Sequence, residues 1–359
     1  MLLAVASFLG FSNGANDNFK GFATVWGSAT LSYGRALALA AVATALGSLA
    51  SLALSHALVL QFTGKGIVPD AVAADPGFAL SAAAGAAATV MLATRLGLPI
   101  STTHALIGGL AGAGLAQDGS GIQADRLAAT FLLPLLLSPL VAALLAFVAG
   151  RSFAARDGDR DCACVAIGEE IEAAGSGAAA MSSAAPARLL IAPVADCDRL
   201  AGSVARFRLA PLKDAAHIAS AACICFARGV NDTPKLAALL LTTQAFGVRG
   251  ASLVIAAAML AGGLLFARRV AQTMSQRIAP LDHSSGLAAN LVTAGLVFLA
   301  SRFGLPVSTT HVSVGSIIGV GLGEGRIDWR TTSVILLSWV GTLPLAAAVA
   351  FFAARIGAP

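Results

Sequence analysis

The sequence predicts an all-α polytopic membrane protein made of two inverted-topology repeats. Each repeat has about five apolar helical elements, with broken or re-entrant helices at a shared site. Three observations carry this reading. The 359 residues are 57% hydrophobic and 11% charged, where a typical soluble domain has about 25% charged residues. About ten apolar stretches follow one another in two sets of five. Two short polar motifs each occur twice, in the same order, inside that apolar sequence.

The surplus of apolar residues has to face lipid. Aromatic residues make up 6% of the chain and glycine is frequent, at 38 residues. Both features suit helices packed closely through small side chains. The net charge of +5 could suggest nucleic acid. The basic residues, however, stand mostly at the ends of apolar runs and form no basic groove. Such loop-end Lys and Arg are what topology selection leaves behind, so no nucleic-acid partner is expected.

In the first half the apolar stretches run roughly Leu2–Leu31, Arg35–Phe62, Phe78–Leu96, Pro99–Ala116 and Arg126–Gly150. In the second half they run roughly Asp214–Phe246, Gly250–Met274, Gly286–Arg302, Pro306–Gly323 and Thr331–Arg355. A spanning helix needs about 20 residues, so stretches near 18 read either as spans or as half-membrane hairpins. Each half crosses five times, or three times if two elements form a re-entrant pair. Both numbers are odd, so the second half enters from the opposite side and the repeats are inverted. That arrangement places a site near the bilayer midplane.

Residues 1–150 therefore read as the first membrane repeat, 151–212 as a soluble, cytoplasmic loop, and 213–359 as the second membrane repeat. The loop is rich in charge, Gly, Ser and Ala, which predicts partial disorder, with a short helix near Cys197–Phe207. Its basic residues place it inside and both termini outside. Cys162, Cys164 and Cys197 have no nearby His to complete a metal set and read as reduced thiols.

The motifs carry the chemistry. Gly97-Leu98-Pro99-Ile100-Ser101-Thr102-Thr103-His104 returns as Gly304-Leu305-Pro306-Val307-Ser308-Thr309-Thr310-His311, at an offset of 207 residues (304 − 97). Asn16-Asp17-Asn18-Phe19-Lys20 pairs with Asn231-Asp232-Thr233-Pro234-Lys235, at an offset of 215 (231 − 16). Of eighteen acidic residues, Asp17 and Asp232 alone fall in the interior of predicted membrane segments. A charge at the bilayer centre costs about 2.5–3.5 kcal/mol on the insertion scale and seldom persists there without a use. Lys20 and Lys235 follow three residues later, on the same helix face. They read as local salt-bridge partners, as fixed cations for an anion, or as both.

Pro99 and Pro306 suit the first turn of a helix. Ser101, Thr102, Thr103 and Ser308, Thr309, Thr310 would then line two helix starts, with free N–H groups and the positive dipole end behind them. Two such starts facing each other would cage a tetrahedral oxyanion. The competing structural reading is that these hydroxyls only cap membrane helices. His104 and His311 are also matched, and read as proton carriers or as ties between helices.

With Gly14-Ala15-Asn16-Asp17, Gly229-Val230-Asn231-Asp232 and both Gly-Leu-Pro-x-Ser-Thr-Thr-His elements, the chain resembles the inorganic phosphate transporter (PiT) family over nearly its whole length. The resemblance implies a secondary transporter, a homodimer in a bacterial inner membrane, moving phosphate with sodium or protons and using no cofactor. It also implies that the Asn-Asp elements and the Ser-Thr-Thr starts build the phosphate and cation sites, with sodium at Asp17 and Asp232. Some members carry sulfate. The family usually has Asn where Lys20 and Lys235 stand here. An Asn oxygen can ligate sodium, whereas an ammonium repels it, so these lysines are expected to replace bound sodium with tethered charge. Arg228, in the place of Asn13, breaks the symmetry and reads as a topological anchor or as a group at the mouth of the site.

The rival of another class is an intramembrane hydrolase using Ser, His and Asp. A hydrolase needs one asymmetric triad, and every member here is duplicated. Between phosphate and sulfate, an ionised Asp17 or Asp232 favours phosphate, which can donate a proton to it.

Overall fold

Among the described residues of this computed structural model, ten long helices carry the ten apolar stretches. The structure describes residues 1–54, 59, 62–64, 66–117, 122–154, 162–167, 187–192, 203–208, 210–243, 247–302, 305 and 307–357. In the first half the helices are α1 (Leu2–Asp17), α2 (Tyr33–Leu54), α3 (Pro76–Leu96), α4 (Thr102–Ala116) and α5 (Leu133–Ala154). In the second half they are α6 (Ala210–Leu240), α7 (Val248–Phe266), α8 (His283–Arg302), α9 (Thr309–Glu324) and α10 (Trp329–Gly357).

Six of the described helices are long and apolar enough to cross a membrane: α2, α3, α5, α7, α8 and α10. Helices α1, α4 and α9 have 16, 15 and 16 residues. At 1.5 Å per residue that is roughly 24 Å, short of a hydrocarbon core of about 30 Å. Three of the four motif-bearing helices are thus short. Helix α1 ends at Asp17, inside its motif, and the chain continues as a 3-10 turn over Lys20–Phe22. That break matches the expectation of interrupted helices. Its counterpart α6 runs on for 31 residues through Asp232, with Pro234 inside it.

Between the halves the described residues form a three-stranded antiparallel sheet in the order β2-β1-β3. Its strands are β1 (Cys162–Ile167), β2 (Ala187–Ala192) and β3 (Ser203–Arg208). Strand β3 takes the place of the end of the short helix expected near Cys197–Phe207, over Ser203–Phe207. Its residues pair across β1, Phe207 opposite Ala163 and Arg206 opposite Cys164, so ladder hydrogen bonds override a helical reading that rested on local composition alone. Cys197 and the stretches expected to be disordered lie outside the described residues.

The halves interlock by exchanging helices. Helix α4 of the first half packs on α10 of the second, and α9 of the second packs on α5 of the first. Likewise α1 packs on α7, and α6 on α2. Glycines make the exchange possible at backbone range. A Cβ on Gly14 would lie 1.9 Å from the Met259 carbonyl oxygen, and one on Gly229 would lie 2.3 Å from that of Thr44. Gly229 and Met259 are each the 215-residue counterparts of Gly14 and Thr44, so one contact is written twice. The α4–α10 and α9–α5 pairs repeat the pattern, with Gly112 against Ala347 and Gly319 against Ala143. Close backbone approach through small residues is how helices associate where lipid supplies no hydrophobic drive.

The starts of α3 and α10, outside the motifs, are capped by carboxylates. Asp75 accepts from Gly77 N and Phe78 N at 3.0 and 3.3 Å to start α3. Asp328 accepts from the Thr331 hydroxyl at 2.8 Å and from backbone N–H groups to start α10. The Thr331 bond first, then those N–H groups, hold its carboxyl below the usual carboxylate range.

Candidate functional site

The interlocking brings both Asn-Asp motifs and both Ser-Thr-Thr-His motifs to one buried cluster. Asp17, Lys20, Arg228, Asp232 and Lys235 are all at most 5% exposed. Charges buried in a membrane protein pair with one another or mark a pathway, and here they pair. Lys20 Nζ contacts Asp17 Oδ1 and Thr310 Oγ1, and donates to the Ile100 carbonyl at 3.0 Å. Lys235 Nζ stands 3.7 Å from Asp232 Oδ1. It donates to Thr103 Oγ1 at 3.2 Å and to the Val307 carbonyl at 3.5 Å. Its ammonium also lies 5.5 Å over the Phe62 ring, a range at which a cation is attracted to the ring face. Each lysine therefore reaches from its own carboxylate to a threonine of the other repeat.

Asn13 ties the carboxylates together. Its Nδ2 lies 3.2 Å from Asp17 Oδ2, 3.0 Å from Thr102 Oγ1 and 3.4 Å from Asp232 Oδ2. Thr102 in turn donates to Asp17 Oδ2 at 3.1 Å. Arg228 settles which way the amide points. Its Nη2 donates to Asn13 Oδ1 and, at 3.4 Å, to the Asn13 carbonyl. A guanidinium only donates, so Oδ1 faces it and Nδ2 faces the carboxylates. Arg228 Nη1 also donates to Asn18 Oδ1 at 3.4 Å, and Nε forms an ion pair with Asp232 Oδ2 at 3.4 Å. A small hollow lies among Asn13, Thr102, Thr103, Asp232 and Lys235, too tight in this conformation for a water molecule. The polar groups are closed on one another.

The Ser residues of the motifs do something else. Helices α4 and α9 begin at Thr102 and Thr309, with Ser101 and Ser308 as N-caps. Ser101 Oγ accepts from His104 N at 3.1 Å and Ser308 Oγ from His311 N at 3.2 Å. Pro99 is accordingly not in the first helical turn, because the Ser side chain takes the cap and the helix starts one residue later. Pro99 instead offers its carbonyl to Trp339 Nε1 at 2.9 Å. Pro306 lies outside the described residues. Ser101→Ala and Ser308→Ala are each expected to cost about 1 kcal/mol of stability, read by thermal unfolding in detergent, with substrate affinity unchanged.

Asn16 is also turned away from the cluster. Its amide donates to Thr94 Oγ1 and the Leu98 carbonyl, both at 3.0 Å, and accepts from Ile100 N at 3.2 Å. It clamps the turn between α3 and α4 and so sets where Ile100 and Thr102 sit. Asn231 is buried, and among the described residues its amide has no hydrogen-bond partner. Thr309 is buried and takes part in none of these contacts. The helix-tying reading of the histidines has a definite geometry. His104 Nδ1 is 3.3 Å from His311 Nε2, and His311 Nδ1 is 3.2 Å from the Leu135 carbonyl. A carbonyl only accepts, so in the neutral ring Nδ1 of His311 carries the proton and its Nε2 accepts from His104. The Trp339 ring lies against His311 with centroids 4.0 Å apart and ring planes tilted by 33°. The two helix starts thus touch directly.

The motif serines, histidines and aspartates do not assemble a Ser-His-Asp triad. Both serines are spent as caps, and neither His is hydrogen-bonded to Asp17 or Asp232. Asn13 belongs to the cluster although it lies outside both duplicated motifs. The sequence signal for it is its register match to Arg228, one helical turn before each Asn-Asp pair.

The profile of the phosphate transporter family matches residues 13–350. The chain is 27% identical to a putative phosphate permease of Pyrococcus furiosus, across 97% of this chain and 94% of that protein. It is 26% identical to a probable low-affinity inorganic phosphate transporter of Mycobacterium tuberculosis, across 98% and 76%. It is 28% identical to the chloroplastic inorganic phosphate transporter 2-1 of Arabidopsis thaliana, across 96% and 69%. A solved structure described as the sodium-dependent phosphate transporter shares the fold, with a TM-score of 0.72 and 22% identity over 99% of this chain and 98% of that one.

Proposed function

The chain belongs to the phosphate transporter family, and on that premise we propose that it is an integral membrane transporter carrying inorganic phosphate by alternating access around the buried cluster. The observation that carries the reading is the crossed lysine pair. Lys20 is shared between Asp17 and Thr310, and Lys235 between Asp232 and Thr103. An arriving phosphate offers oxygens to both ammonium groups and competes for the contacts that close the cluster. The threonine hydroxyls and the first N–H groups of α4 and α9 then face an anion at two helix starts, where the dipole favours negative charge. Asp17 and Asp232 accept hydrogen bonds from the protonated phosphate oxygens. The two repeats, inverted with respect to each other, rock about this site. A homodimer in a bacterial inner membrane completes the proposal, to be checked by cross-linking in native membranes and by fractionation.

The test is uptake of radiolabelled phosphate by proteoliposomes holding the purified chain. Saturable uptake, unaffected by a tenfold excess of sulfate, is the expected result. Competition by sulfate at equal concentration would reassign the substrate to sulfate. No uptake or binding of either anion by folded protein would remove the transport reading.

A further inference from the structure

We infer that Lys20 and Lys235 are built-in replacements for the sodium ions that an anion site of this fold would otherwise need, and that the chain moves its anion without sodium. This rests on the phosphate-transport reading for the identity of the anion. The surroundings of each ammonium carry the inference on their own.

Each Nζ faces three oxygens of three different kinds. Around Lys20 they are the Asp17 carboxylate, the Ile100 carbonyl and the Thr310 hydroxyl. Around Lys235 they are the Asp232 carboxylate, the Val307 carbonyl and the Thr103 hydroxyl. The sets correspond term by term: carboxylate and carbonyl from the same repeat, hydroxyl from the opposite one. Carboxylates, carbonyls of non-helical backbone and hydroxyls are the donors that hold alkali cations at broken helices in membranes. A lysine ammonium has three N–H donors, no acceptor and a compact unit charge. It matches three acceptor oxygens and carries the same charge as one sodium ion. The donor sets therefore suit a cation, but each already holds one, covalently attached. A sodium ion placed among the same oxygens would stand next to an ammonium with nothing between them. Sodium does not fit this site.

The charge balance agrees. Among the described residues of the cluster, Lys20, Lys235 and Arg228 are positive and Asp17 and Asp232 are negative. With all five ionised the site carries +1, and a phosphate monoanion brings it to zero with no co-ion. With asparagine at both lysine positions the same site would carry −1, and would need two sodium ions to return to +1. One paired replacement thus exchanges bound cations for tethered ones.

The experiment has two arms at constant ionic strength. In the first, phosphate uptake into proteoliposomes is measured with sodium, potassium or choline outside. In the second, the melting temperature of the purified protein is followed against sodium alone, without phosphate. For the natural chain, uptake rates within threefold of one another and no saturable melting shift are expected. Lys20→Asn with Lys235→Asn should acquire a saturable sodium-dependent rise in melting temperature and, where uptake survives, at least a tenfold sodium requirement. More than a threefold loss of natural-chain uptake on removing sodium, or a saturable sodium shift in the natural chain, overturns the inference. If the natural chain moves no phosphate in any salt, the transport reading fails. The melting arm still decides the fate of the lysines, and it does so without the variants should they not fold.

Discussion

Replacing Lys20 by methionine is expected to abolish phosphate uptake and to destabilise the fold by roughly 3–5 kcal/mol, the cost of breaking a buried ion pair from one side. The Lys20 ammonium is buried and joins the two repeats through Asp17, Ile100 and Thr310. Methionine fills most of the volume, so the loss is electrostatic rather than a cavity. Asp17 would keep the Asn13 amide and the Thr102 hydroxyl at 3.2 and 3.1 Å but would lose the cation in contact with it. Pairing the change with Asp17→Asn removes both charges together. A buried pair replaced as a unit costs little, so the double variant should recover most of the stability and none of the uptake. Unfolding in detergent and proteoliposome uptake, run side by side, check this. Uptake retained within a few-fold in Lys20→Met would show that the ammonium does not touch the anion. Lys235→Met should be milder in stability, because its contacts are longer and Asp232 keeps Arg228 at 3.4 Å.

The sequence exposed the helices and hid the hydrogen bonds. Ten apolar runs became ten helices because a chain in lipid satisfies its backbone internally, and helices do so locally. The shared site was legible because duplication gave every polar residue a register check, so Asp17 and Asp232 had to be read together. What duplication cannot show is which way a side chain turns. Asn16 stands beside Asp17 in the chain, yet a helix turns about 100° per residue, and its amide clamps the turn before Ile100. Ser101 is next to Thr102 yet is spent on a cap, since the hydroxyl at a helix start reaches its own third N–H before any ligand. The central sheet was missed because its pairing is non-local. Strand β1 pairs with β2 and β3 across gaps of tens of residues, and a low-hydrophobicity loop carries no periodicity strong enough to announce that.

Arg228→Asn, which restores the residue found in the other repeat, is expected to raise the KM for phosphate on the order of tenfold, about 1.4 kcal/mol of binding. Two losses combine. The cluster falls from +1 to neutral, so the anion enters with no net attraction. The Asn13 amide also loses the donor that holds Oδ1 outward, and a flipped amide would turn that oxygen toward the Asp17 and Asp232 carboxylates. Arg228→Lys separates these effects. Lysine keeps the charge but not the planar fork that meets Asn13, Asn18 and Asp232 together. Affinity should therefore return most of the way in Arg228→Lys while the melting temperature stays lowered. If the Asn and Lys variants lose affinity equally, geometry rather than charge is what Arg228 supplies. If neither changes the KM, the guanidinium only anchors α6 against α1. The matched substitution Asn13→Arg should abolish uptake. It places a second guanidinium against Arg228 and removes the amide that joins Asp17, Thr102 and Asp232. The site is thus two-fold in its lysines, carboxylates and threonines, and one-sided where a single fixed charge sets its sign.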